Sequence, residues 1–264
     1  MVDPVDVIGK AREAVSQRAE LPGMSLMEHL DELRKRIIRS FIFLVVGFGA
    51  AWGFRDLLLD FIQQPLKHNG KTLNMIHPMD GMNLTIQVCL LAGAILASPW
   101  ILYQVWLFIA PGLYQKEKRF VVPFMAATVG LFLTGAGFGY FYVLPSALHI
   151  LLDVFGGKFT AVISIEEYTG FFLSIILGLG ISFELPILIF CLAAFGIVSP
   201  RFLWMNIRYA ILAAFFVAAV ICPMTDPISM CIYAVPLLGL YIVGIGVAWW
   251  VHPSRREKKK EQAG

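Results

Sequence analysis

Between Met82 and Ala110 the chain carries no Asp, Glu, Lys or Arg. A bilayer core about 30 Å thick is crossed by roughly 20 apolar residues of helix. Inside it no water is available to the backbone, so such a segment must satisfy its own N–H and C=O groups by coiling. Five more apolar runs follow the same pattern, and the six lie at roughly 37–54, 82–110, 121–145, 168–197, 204–222 and 228–250. Composition agrees with this pattern. Only 15% of residues are charged and the mean hydropathy is +0.75, whereas about a quarter of a soluble domain is charged. The chain is therefore read as all-α, a polytopic membrane protein with six transmembrane helices.

The runs are unequal. The second and fourth exceed a straight crossing and should tilt, kink or extend into the interface, with Pro99 and Pro186 as the expected kinks. The fifth has about 14 residues between Arg208 and Pro223, about 21 Å of helix, and underspans the hydrocarbon. Orientation follows from the cations. With the N-terminus inside, 17 of the 21 Lys and Arg residues face the cytoplasm, leaving Arg55, Lys67, Lys71 and Lys158 outside. The positive-inside rule thus places both termini in the cytoplasm.

Residues 1–24 form an N-terminal extension, 25–251 the membrane domain and 252–264 a basic tail. The polar N-terminal stretch lacks the layout of a signal peptide, so the first apolar run is retained as a span. In the first outside loop, RDLLLDFIQQPLK has apolar residues at helical spacing and is expected to pack as an amphipathic helix on the span ends.

No enzyme constellation is visible. The Gly-Lys-Thr at 70–72 lacks the earlier glycine of a phosphate-binding loop, Pro65 standing in its place. Neither the four cysteines nor the five histidines fall in a metal-ligand pattern. No catalytic, metal or cofactor site and no nucleic-acid partner is expected. Gly135 and Gly139, four residues apart, would let a neighbouring helix approach closely. Glu184, in ISFELPILIF, is an ionisable residue inside a span, which marks it for function. Gln87 and Gln104 are read as ordinary polar residues of their span.

Two further acids lie near cytoplasmic span ends among bases: Glu32 in SLMEHLDELRKR and Glu117 in PGLYQKEKRF. On pattern alone Glu32 reads as part of an ordinary helix start, with Ser25 and Glu28 as a capping box. Two carboxylates on one face would also suit two guanidinium groups, each by paired hydrogen bonds. A rival reading makes Glu184 the ion site of a secondary transporter, but no internal repeat supports it.

The segments HLDELRKR at 29–36, ASPWILYQVWLFIAPGLYQKEKR at 97–119, SFELP at 182–186 and CPMTDPIS at 222–229 resemble the TatC family, in the family's order. TatC is the signal-peptide receptor core of the twin-arginine protein translocase. The resemblance covers roughly residues 25–250 and implies a concave bundle in the bacterial inner membrane. It implies that Glu32 and Glu117 bind twin-arginine signal peptides, supported by Arg34 and Phe108. It makes Glu184 the intramembrane polar site and places Pro65 and Asp226 in the outside cap that meets partners. The implied partners are TatA-like and TatB-like single-span subunits, signal peptides of folded precursors and membrane lipid, in an oligomeric complex driven by the proton-motive force. Cys222 and Met230 depart from the Thr and Gln common in the last outside turn.

Overall fold

The computed structural model describes residues 26–68, 70–109, 121–156, 162–194, 196–221 and 227–251. Helix α1 (Leu26–Trp52) ends in a tight turn and the chain bends by 84° into α2 (Arg55–His68). A short strand β1 (Leu73–Asn74) precedes α3 (Asp80–Ile109). Helix α4 (Val121–Phe138) continues through a π-helical turn (Gly139–Val143), α5 (Leu144–His149) and a second π-helical turn (Ile150–Phe155). Strand β2 (Ile163–Ser164) leads into α6 (Ile165–Ser182) and α7 (Leu185–Ala194). The chain closes with α8 (Pro200–Met205), α9 (Ile207–Ile221) and α10 (Pro227–Val251).

Each of the six predicted runs is mostly helix among the described residues. Four segments are long and apolar enough to cross a membrane: 80–108, 124–154, 165–194 and 230–251. Helix α1 adds a fifth when taken with its bend. Helix α9, with 15 residues and about 22 Å of length, is as short as expected. The third span runs further than 145, because SALHILLDVF is apolar apart from Ser146, His149 and Asp153, and the last two pair at 2.8 Å one turn apart. The outside loop expected at 146–167 therefore begins a helix length later. It meets the first outside loop in a two-strand parallel ladder, Leu73 against Ile163 and Asn74 against Ser164.

Glycines set the closest helix crossings. A Cβ on Gly47 of α1 would fall 2.5 Å from the Gly93 carbonyl oxygen of α3, and one on Gly93 would fall 2.6 Å from the Phe48 amide. On α4, a Cβ on Gly135 would fall 2.7 Å from the Leu179 carbonyl oxygen of α6. Gly139 faces Ile175 one turn on, so the predicted glycine pair does admit α6.

Two of the prolines inside helices, Pro99 and Pro65, are repaired by hydroxyls. A proline lacks the N–H that would reach the carbonyl four residues before it. Helix α3 runs unbroken through Pro99, and the Ser98 hydroxyl donates to the Ile95 carbonyl at 2.7 Å, the one Pro99 leaves free. Pro65 leaves the Phe61 carbonyl free in α2, and the Tyr140 hydroxyl donates to it at 3.0 Å. Tyr168, buried, donates to the next carbonyl, Ile62, at 2.7 Å. These bonds, with fully buried Ile62 and Leu66, seat the amphipathic α2 on the span ends as its spacing predicts.

Candidate functional site

Helix α1 starts before its apolar run, so its first turns project beyond the hydrocarbon. Residues 29, 32 and 36 share one face there by the 3.6-residue repeat. That face packs on the cytoplasmic end of α3. The His29 ring stacks on Phe108, with centroids 4.4 Å apart and planes at 20°. The Arg36 Nη1 donates to the Gln104 carboxamide oxygen at 3.0 Å, and its Nη2 donates to Glu32 Oε1 at 2.8 Å. Gln104 and Phe108 are themselves one turn apart on α3. Two helices thus hold Glu32 between an aromatic stack and an ion pair.

The environment of Glu32 is unlike that of its neighbours. Asp31 and Lys35 pair at 2.7 Å in the open, where solvent screens the contact. The Glu32 and Arg36 side chains are only 19% and 17% exposed. Glu32 Oε2 is buried and has no hydrogen-bond donor among the described residues. A buried carboxylate oxygen without a donor is costly and is primed for a guanidinium N–H.

Arg34 is exposed and lies about 200° around α1 from Glu32, so it does not share this face. Glu117 lies outside the described residues, as do Asp226 and Ser25 of the expected capping box. Pro65 is placed in α2, where the Phe61 carbonyl that it frees is tied to the Tyr140 hydroxyl. Gln87 is exposed as an ordinary span residue. Gln104 is not ordinary: it is buried at 6% exposure and ties α3 to Arg36 across 68 residues of sequence. A lone Gln in an apolar run gave no hint of that partner.

Glu184 stands apart from this surface. The span breaks there: the Glu184 amide bonds back to Ile181, and the Glu184 carbonyl accepts the Leu188 amide that opens α7. Pro186 then occupies the second position of α7, where its missing N–H leaves nothing unsatisfied. The expected kink is therefore a break between two helices. Glu184 sits at the N-terminus of α7, where the helix dipole favours a negative charge. Its Oε1 is buried and without a partner among the described residues. Beside it, Phe183 packs on Gly135 and Phe138 of α4.

On the outside face, His77, Asp80 and Glu166 bring side-chain ligand atoms within 4.8 Å of one another, a grouping that the linear spacing concealed. Asp80 Oδ2 already accepts the Ile76 and His77 amides at 2.9 and 2.8 Å. This engagement closes the turn that opens α3.

Residues 28–236 match the family model described as Sec-independent protein translocase protein (TatC). The chain is 49% identical over 256 residues to the Sec-independent protein translocase protein TatC of Koribacter versatilis (strain Ellin345), spanning 95% of this chain and 94% of that protein. It is 36% identical over 241 residues to the protein of the same name from Aquifex aeolicus (strain VF5), spanning 90% and 100%. Its fold is similar to a crystal structure of the twin arginine translocase receptor TatC, with TM-score 0.78 and 37% identity over 85% of this chain and 99% of that one. With most of its length matched in sequence and in fold, the chain belongs to the TatC family of Sec-independent protein translocase proteins.

Proposed function

We propose that this chain is the receptor subunit of a twin-arginine translocase in a bacterial inner membrane, and that Glu32 and Glu117 are its two arginine-binding carboxylates. The observation that carries the reading is the half-paired Glu32: a carboxylate at the cytoplasmic end of α1, pinned through one oxygen and without a donor on the other among the described residues. A guanidinium completes such a site better than an ammonium, because its planar fork presents two N–H groups at once. Phe108, fixed against His29, offers an apolar and aromatic surface beside it. Arg34 stands on the open side of α1 as a steering charge.

TatA-like and TatB-like single-span subunits would complete the translocase, with Asp226 and the α2 cap around Pro65 as their outside contacts. Export of folded precursors would draw on the proton-motive force, with Glu184 as an intramembrane polar site. The test is crosslinking of a synthetic twin-arginine signal peptide to membranes holding the inserted protein. Glu32→Ala and Glu117→Ala each abolish the crosslink while insertion is retained. Unchanged crosslinking in both variants refutes the assignment.

A further inference from the structure

We propose that Gln104 is a positioning residue which keeps one oxygen of Glu32 open by holding Arg36 away from it. This rests on the reading of Glu32 as an arginine receptor. Arg36 lies one turn after Glu32, and a guanidinium facing a carboxylate frequently binds both of its oxygens. Here it does not. One guanidinium nitrogen, Nη2, meets Glu32 Oε1 and the other, Nη1, is turned to the Gln104 carboxamide oxygen. Glu32 Oε2 is left buried with no donor among the described residues.

Without the Gln104 acceptor, two unsatisfied groups would remain side by side, the Arg36 Nη1–H and Glu32 Oε2. Each is the other's best partner, and their pairing would close Glu32 into a two-pronged internal salt bridge. Gln104 therefore sets how many oxygens Glu32 offers to an incoming arginine. Its own burial, at 6% exposure, holds the acceptor in place on α3 and denies Arg36 of α1 the motion needed to close the pair. The site is thus held in a half-paired state by a residue that never touches the ligand.

The experiment uses the purified full-length protein in detergent and two readouts. One is the rate at which a water-soluble carbodiimide with an amine nucleophile labels the Glu32 carboxyl, read by peptide mass spectrometry. The other is the affinity of a fluorescent peptide with adjacent arginines. In Gln104→Met, which keeps the volume and removes the acceptor, labelling slows several-fold and affinity falls by about tenfold, the loss of one charge-assisted hydrogen bond. Gln104→Glu, which keeps an acceptor, retains both. In the double variant Gln104→Met with Arg36→Gln the labelling rate recovers, because no internal guanidinium remains to close the pair. A packing role for Gln104 would not be rescued by loss of Arg36. Equal labelling in wild type and Gln104→Met overturns the proposal, as does slow labelling that persists in the double variant. Should the Met variant aggregate on gel filtration, Gln104→Ala carries the same comparison. If wild type fails to bind the peptide, or Glu32→Gln binds it as well as wild type, the receptor reading falls while the labelling rates still decide the role of Gln104.

Discussion

The hydroxyl of Tyr140 is expected to matter because of Pro65, a residue it does not need to touch. Pro65 has no N–H to give the Phe61 carbonyl, and Tyr140 supplies the bond at 3.0 Å. The Tyr140 ring also stacks on Phe61, with centroids 4.2 Å apart and planes at 9°. Tyr140→Phe keeps that stack and removes only the hydroxyl. The Phe61 carbonyl is then left without a partner, at a cost of about 1–3 kcal/mol. Pro65→Ala restores an amide at position 65 that reaches the same carbonyl. In that background Tyr140→Phe should cost less than about 1 kcal/mol, the ordinary net worth of one hydrogen bond. The double-mutant cycle cancels the separate effect of alanine on helix propensity and isolates a coupling of about 1–2 kcal/mol. Thermal unfolding of the purified protein reads it out. At about 2–4 °C per kcal/mol for a chain of this size, Tyr140→Phe lowers the midpoint by several degrees when Pro65 is present and by a degree or two in the Pro65→Ala background. Equal losses in the two backgrounds would refute the account, since they would mean that the Phe61 carbonyl does not depend on Tyr140.

Two further outcomes follow from the packing and the polar sites. Gly93→Val should separate α1 from α3, because even its Cβ would fall 2.6 Å from the Phe48 backbone amide. Its unfolding midpoint drops, with a cost of about 1–3 kcal/mol for overpacking, and peptide binding falls with it; a variant as stable as wild type would deny that the crossing is tight. Glu184→Gln should leave peptide binding intact and reduce transport of a folded precursor into vesicles, and normal transport would make Glu184 a structural residue of the α6–α7 break.

Much of the fold was legible because the bilayer leaves few alternatives. Six apolar runs become helices wherever water is excluded, and the short fifth run and the amphipathic α2 could be read directly from residue spacing. Pro186 could be read as an interruption, but not as a full break with Glu184 at the start of a new helix. The end of the third span was missed because His149 and Asp153 look like loop residues until they are seen to pair one turn apart. The pairwise ties were the least legible part. Tyr140 reaches Phe61 across 79 residues and Arg36 reaches Gln104 across 68. A sequence shows that a proline frees a carbonyl. It does not show which distant hydroxyl will answer it. Gln104 illustrates the same limit from the other side: a polar residue in an apolar run must find a partner, and only the packing of α1 on α3 identifies Arg36.

That packing links the smallest residues of the chain to its most polar ones. Gly47 and Gly93 allow backbone contact where α1 and α3 cross. From Gly47 to Glu32 is about 22 Å of helix, and from Gly93 to Gln104 about 16 Å. Over such an arm a rotation of only about 3° at the crossing moves Glu32 by about 1 Å, taken from the same helical rise. A site that places a guanidinium, the role proposed for Glu32, must be held to about 0.5 Å. Side chains meeting at the crossing would leave rotameric freedom and hence angular play, whereas backbone against backbone leaves almost none. The Arg36–Gln104 bond and the His29–Phe108 stack then fix the far end of the arm at two points one helical turn apart. Neither device suffices by itself: a tight crossing without the ties lets the cytoplasmic end of α1 fray, and the ties without the crossing would drag Gln104 along with α1. Holding Glu32 in its half-paired state requires both.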